Sequence, residues 1–451
     1  MKMGVDLTEG PILKKFVFFA IPVLLTSLMQ QLYNSADIMI IGKFADKTAL
    51  AAVGATAALT NLIVNLFVGF AVGSNVLCAR CYGASDKQGL SRALNTSLLL
   101  GFVLGFPLAL IGCVASDYFL KIMGTPSDVI EKASLYMKIF FLGSPASLVY
   151  NYGAAVLRAV GDTKRPLYIL AASGLVNVLL NILCVVGFHM DVAGVAIGTI
   201  AAQYVSAVAI VVIFMRAQEE LKLDIRKMKI YKNELKQISV VGIPAGINSA
   251  MFSLSNVILQ SAVNSFGSTI MAANSVACNY SNYAYIFLAA GEQACTSFVG
   301  QNMGAKKYKR LGRIVAVALW VTGAAILVFS LVVGCNGRFF LSLFTDDLAV
   351  VDKGMVYINV VIFPYIILMP SIVLGGALRG MGYALSQTVI SLVFICFVRI
   401  LWVMYILPLN NVYEMVFISY PVSWICAAVA ATVVYLYAKR KLVASLESDE
   451  Q

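Results

Sequence analysis

The chain has 451 residues, 60% of them apolar and 12% charged, against about 45 to 50% and about 25% in a soluble globular domain. Such a chain cannot cover itself with polar surface, so a water-soluble protein is excluded and lipid is its expected surroundings. The formal charge of +11 would suit nucleic acid, but the basic residues gather in alternate loops rather than on one face, so no nucleic-acid partner is expected.

Crossing a hydrocarbon core of about 30 Å takes about 18 to 20 apolar residues. Twelve windows qualify: 16–41, 49–73, 91–114, 134–157, 166–187, 192–215, 238–264, 270–296, 312–335, 354–378, 385–408 and 415–437. They predict an all-α integral membrane protein with twelve transmembrane helices. With the N-terminus inside, 25 Lys and Arg residues fall in cytoplasmic segments, beginning with Lys2, Lys14 and Lys15, and seven fall opposite. That asymmetry places both termini in the cytoplasm. The first apolar run is too long for a cleavable signal, so the chain is expected to reach the plasma membrane by its own spans.

Three ionisable residues stay inside hydrocarbon, Asp37, Glu292 and Arg399, where a charge costs at least about 2.5 to 3.5 kcal/mol. In span one, helical spacing puts Tyr33 and Asn34 one turn from Asp37 and Gln30 two turns away, a polar face on an apolar helix. Desolvation disfavours the charged carboxylate. Asp37 is therefore expected to take a proton from outside and release it inside; the alternative is a carboxyl that only hydrogen-bonds a neighbouring helix.

Further spans add uncharged polar groups. Asn61 and Asn65 share a face of span two and suggest a wet substrate cavity, as Gln30 and Tyr33 of span one do. Asn177 and Asn181 lie one turn apart in span five and could hydrogen-bond a protonated Asp37, coordinate a cation such as Na+ with it, or act as packing glue. Asn256 and Gln260 in span seven, with Tyr280 and Tyr283 in span eight, suggest a wet cavity whose rings would suit flat or cationic organic solutes, although they could simply pack. Glu292 lies near the cytoplasmic end of span eight, where ion binding competes with a snorkelling or lobe-closing role. Arg399 could meet an anionic group in the cavity or a partner inside its own lobe. Pro22, Pro244 and Pro370 interrupt spans one, seven and ten; bends at Pro22 and Pro244 would be gating points.

No Gly-x4-Gly-Lys-Ser/Thr phosphate cradle is present, and the single histidine, His189, lies in a short loop. Nine cysteines form no metal or disulfide framework; even Cys78 and Cys81, with their two-residue gap, lack a second pair. An enzyme, a bound cofactor and a resident metal are therefore not expected, and any transport must draw on an ion gradient.

The chain is also written twice, 221 residues apart. Tyr82-Gly83-Ala84 with Leu90 and Arg92 returns as Met303-Gly304-Ala305 with Leu311 and Arg313. The same offset carries Phe119-Leu120 onto Phe340-Leu341, Tyr136 onto Tyr357, and Leu157-Arg158 with Gly161 onto Leu378-Arg379 with Gly382. An internal repeat of a helical bundle marks secondary transporters. The expected organisation is a six-helix lobe over 1–215, a cytoplasmic linker over 216–237, a second six-helix lobe over 238–437 and a tail over 438–451.

Ile21-Pro22 leading to Asn34-Ser35-Ala36-Asp37, the repeated Gly83-Ala84 and Gly304-Ala305, and Leu157-Arg158-Ala159-Val160-Gly161-Asp162-Thr163 against Leu378-Arg379-Gly380-Met381-Gly382 together resemble the multidrug and toxic compound extrusion (MATE) family over essentially the whole chain. The resemblance implies two pseudo-symmetric six-helix bundles around a central cleft. It also implies export of cationic or lipophilic organic compounds in exchange for protons or sodium ions. Its span-one aspartate corresponds to Asp37 and its span-five pair to Asn177 and Asn181. The chain departs from the acidic pattern at Asn181, and 238–264 and 354–378 contain no acid. Proton exchange at Asp37 is then the simpler expectation, in a monomer whose other partner is membrane lipid. The rival is a flippase for a lipid-linked oligosaccharide, whose pyrophosphate wants several cavity guanidinium or ammonium groups; only Arg399 lies well inside the bilayer.

Overall fold

A backbone passing through oil must satisfy its own N–H and C=O groups, and long apolar runs with few turn formers do so as helices. The computed structural model describes residues 4–449 except Gly124, Gln218 and Asp346, so Lys2 and the last two residues of the expected tail lie outside it. Among the described residues every regular element is helical. The first half carries α1 (Ile12–Phe44), α2 (Lys47–Gly83), α3 (Lys87–Ile122), α4 (Ser127–Leu142), α5 (Ser144–Ala159), α6 (Lys164–Ile182) and α7 (Asp191–Met215). The second carries α8 (Lys232–Asn264), α9 (Ser268–Gly304), α10 (Leu311–Cys335), α11 (Gly337–Ser342), α12 (Leu348–Tyr357), α13 (Met369–Met381), α14 (Ala384–Ile390), α15 (Val398–Leu401) and α16 (Tyr413–Asp449).

Ten of the twelve expected spans are segments long and apolar enough to cross a bilayer. The fourth is broken at Gly143, followed by Pro145, into two 16-residue helices, α4 and α5. The eighth is α9, 37 residues long, whose Asn, Ser and Gln side chains lower its hydropathy. The tenth span is interrupted by wide and tight turns over Ile358–Ile367, where Pro364 leaves helical geometry, and Pro370 begins α13. Pro22 and Pro244 instead sit inside unbroken helices. The expected linker ends early, because α8 already starts at Lys232.

The chain forms two compact units. The first holds Leu25–Gly246 with the leading residues as far as Asp6; the second holds Leu7–Leu24 and Ile247–Gln451. These differ from the boundaries read from the sequence, since α1 changes unit two residues after Pro22 and α8 two residues after Pro244. In the first unit α3 packs against α5 and α6 against α7, around Leu94, Phe141, Tyr152 and Phe214. In the second, α9 packs against α13 and α10, and Phe16 and Phe19 of α1 meet Phe298 of α9. Apolar side chains such as Leu110, Val114, Val328 and Val433 stay exposed, an arrangement that lipid favours and water does not.

The duplication is visible in the backbone. Ser85 and Lys306, 221 apart, are both left-handed, with φ of 56° and 55°. Gly161 and Gly382 repeat the pattern with φ of 87° and 92°. Each of the four helices closes through the same bond: Asp162 N donates to Leu157 O at 2.9 Å and Tyr383 N to Leu378 O at 2.8 Å, while Asp86 N donates to Cys81 O and Lys307 N to Asn302 O, both at 2.9 Å. This is the αL helix stop, in which an orphan carbonyl is satisfied by a reversed turn.

A left-handed conformation costs an L-residue about 1 to 2 kcal/mol and glycine nothing comparable. Ser85→Gly is therefore expected to stabilise the purified protein by about 1 kcal/mol. Gly161→Ala should destabilise it by more, because a methyl there also runs into Val5 O. Thermal unfolding in detergent checks both signs.

Candidate functional site

Asp37, on the second half of α1, is buried with 8% of its surface exposed, and its partners come from α6 and α7 of the same unit. Asn181 Nδ2 donates to Asp37 Oδ1 at 2.5 Å, and Thr199 Oγ1 lies 3.4 Å from Oδ2. Thr199 also donates to Val195 O at 2.9 Å, and Asn177 Nδ2 reaches Thr199 Oγ1 at 3.4 Å. A hydroxyl has one hydrogen. The shorter contact to Val195 takes it, which leaves a Thr199 lone pair facing Asp37. The carbonyl oxygens of Asn177 and Asn181 are buried without hydrogen-bond partners. The cluster thus holds a carboxylate, two unused amide oxygens and a hydroxyl: acceptors suited to a proton or a small cation.

The backbone is shaped for this contact. A methyl on Gly198 of α7 would overlap Asn181 Oδ1, and one on Gly174 of α6 would overlap the Tyr33 ring. Tyr33 also donates its hydroxyl to Ala171 O at 3.3 Å, so it braces α1 on α6. Of the other residues expected with Asp37, Asn34 and Gln30 are exposed, and Asn61 and Asn65 on α2 are exposed as well. The structure thus joins Asp37, Asn177 and Asn181, and adds Thr199, which the sequence reading did not single out.

The second unit holds a cavity of about 300 Å³. Asn256, Gln260 and Arg399 line it as expected, and Tyr357, Tyr365, Tyr420 and Trp424 join them without having been singled out for it. Tyr280 and Tyr283 are not among its walls; Tyr280 donates to Phe340 O at 2.6 Å.

Glu292 does not line this cavity either. It is 8% exposed and pairs with Arg379 of α13, itself 9% exposed. Arg379 directly follows the apolar window 354–378, yet its side chain turns inward and pairs with the acid. Thr296 Oγ1 lies 2.9 Å from the Glu292 carbonyl oxygen and 3.1 Å from that of Gly376, so the pair sits in a tight α9–α13 seam.

A duplicated set of membrane helices with ionisable groups buried in each unit defines a multi-pass membrane transporter. The MatE family pattern matches residues 22–183 and again 244–404, so the two matches restate the internal repeat. The chain belongs to the MatE family. It is 27% identical over 381 residues to the probable multidrug resistance protein YoeA of Bacillus subtilis, covering 83% of this chain and 82% of that one. Among solved structures, a MOP superfamily transporter from Pyrococcus furiosus, described as having a binding pocket of reverse polarity that suggests a different function, superposes with a TM-score of 0.90. It is 22% identical, covering 98% of this chain and 99% of that one. A multidrug resistance MATE family transporter in an outward-facing conformation gives 0.88 at 22% identity and the same coverage. These two likenesses establish the fold.

Two substitutions test the packing. Gly198→Ala forces Asn181 away from Asp37 and is expected to destabilise by about 1 to 3 kcal/mol, with a parallel loss of transport that solvent-facing substitutions do not share. Arg379→Met strands Glu292 and should cost about 3 to 5 kcal/mol, most of it recovered in the Glu292→Leu/Arg379→Met double variant; detergent melting curves of the three proteins decide.

Proposed function

We propose that this chain is a secondary antiporter of multidrug type. It exports organic cations and lipophilic solutes across the plasma membrane in exchange for protons, with Asp37 as the coupling group. The carrying observation is the acid buried in a membrane helix, whose hydrogen-bonding companions among the described residues are an amide and a hydroxyl, Asn181 and Thr199. Family membership and the multidrug resistance relative support the export of drug-like solutes. The excess of Lys and Arg in alternate segments supports cytoplasmic termini.

Ionised, Asp37 accepts from Asn181 and faces the Thr199 lone pair. A proton on Oδ2 lets it donate to Thr199 Oγ1, whose own hydrogen is already committed to Val195 O. Protonation therefore changes a contact between α1 and α7 rather than merely a charge. Moving one charge across 100 mV yields about 2.3 kcal/mol, and tenfold in concentration corresponds to about 1.4 kcal/mol. One proton thus sustains a gradient of tens-fold for a neutral solute. An exported monovalent cation needs a pH gradient or a second ion as well.

The test is ethidium efflux from proteoliposomes under imposed gradients. Wild type should respond to a proton gradient and Asp37→Asn should fall to the protein-free background. Undiminished proton-driven efflux in the variant, or wild-type efflux that follows sodium and ignores protons, contradicts the reading.

A further inference from the structure

The second unit presents an opposite problem to the first: a buried cation, Arg399, that is in no ion pair among the described residues. Arg399 is 1% exposed. Its Nε donates to Ser423 Oγ at 3.0 Å, and the guanidinium carbon lies 4.3 Å from the Tyr420 ring centroid. Its Nη1 is buried with no hydrogen-bond partner. No Asp or Glu lines the cavity that Arg399 borders, and Glu292, the one acid on α9, is committed to Arg379.

A guanidinium carries five donors in a planar fork matched to a carboxylate. Taking its charge out of water is expensive unless an opposite charge and hydrogen bonds compensate. One hydroxyl and one ring face leave that compensation incomplete. The remaining wall is aromatic and rigidly interlocked. Tyr365 meets Trp424 edge-on at 5.1 Å, and Tyr420 meets Trp424 at 5.8 Å. Asn256, Asn282 and Tyr285, all exposed, form the open side. A volume of about 300 Å³ is the lower end for small-molecule sites, which are mostly apolar with a few placed polar groups.

The geometry points to a binding site in the second unit for the carboxylate of a flat aromatic solute, held by the free arm of Arg399 with its rings against Tyr365, Tyr420 and Trp424. The transported solutes then include aromatic acids or zwitterions besides cations. Only this consequence for transport rests on the antiporter reading; the site itself stands on the cavity.

Binding to the full-length protein in detergent tests it, with no gradient applied, so that failure here is separable from failure of Asp37 coupling. The probes are 1-naphthoate, its uncharged analogue 1-naphthamide, and chloride, titrated calorimetrically. Wild type should prefer naphthoate over naphthamide by at least about tenfold, the usual weight of a charge-assisted hydrogen bond. Arg399→Gln should erase that preference. Trp424→Ala should weaken both aromatic probes while leaving the preference in place, which shows that a site built for rings survives. Equal binding of the two aromatic probes to wild type, a preference that persists in Arg399→Gln, or chloride binding as tight as naphthoate would each overturn the assignment.

Discussion

A carboxylate cannot remain ionised in hydrocarbon without partners, and α1 alone supplies none. Asp37 therefore requires α6 to approach α1 closely enough for Asn181 to donate to one of its oxygens, while Thr199 of α7 faces the other. Gly174 and Gly198 follow from that demand, since side chains there would hold Tyr33 and Asn181 away. The polar contact sets how tightly the first unit packs, and the lipid-facing Leu and Val residues have only to be apolar. The contacts Asp37 makes are contacts that also hold α1 against α6 and α7, and the proposed coupling works through them.

The two repeats share punctuation and divide chemistry. Their helix stops coincide at Ser85 and Lys306 and at Gly161 and Gly382, down to the φ angles. Arg158 and Arg379 coincide as well, but the three charges deepest in the apolar runs do not. At the 221-residue offset, Asp37 meets Ile258, Glu292 meets Ala71 and Arg399 meets Val178. Backbone turns are fixed by folding requirements common to both copies, whereas each buried charge needs its own set of partners and arises where those exist. The first unit thus carries an acid with amides, and the second an arginine within aromatics and an internal ion pair.

Much of this was legible because oil makes charge conspicuous. Asp37, Glu292 and Arg399 stand out in apolar runs, and the one-turn spacing of Asn177 and Asn181 places them together. Thr199 did not stand out, because a hydroxyl in a helix can satisfy itself on the preceding turn, as Thr199 also does on Val195. Asn34 and Gln30 share a helical face with Asp37 by spacing, yet that face is wide enough to leave them exposed while Asp37 is buried. Arg379 directly follows an apolar run, where hydropathy puts it outside the membrane, but its long side chain reaches back to Glu292. The walls around Arg399 come from four separate helical segments, and no periodicity in one segment announces that convergence. The fourth and tenth spans broke where Gly143 and Pro364 interrupt runs whose hydropathy alone looked continuous.

The central claim is that solute and proton are linked through Asp37. The direct measurement is proton release from lightly buffered, detergent-solubilised protein on addition of ethidium, followed with a pH-indicator dye. The account predicts release from the wild type and none from Asp37→Asn at matched ethidium occupancy. Equal release from both proteins, or none from either, would contradict it.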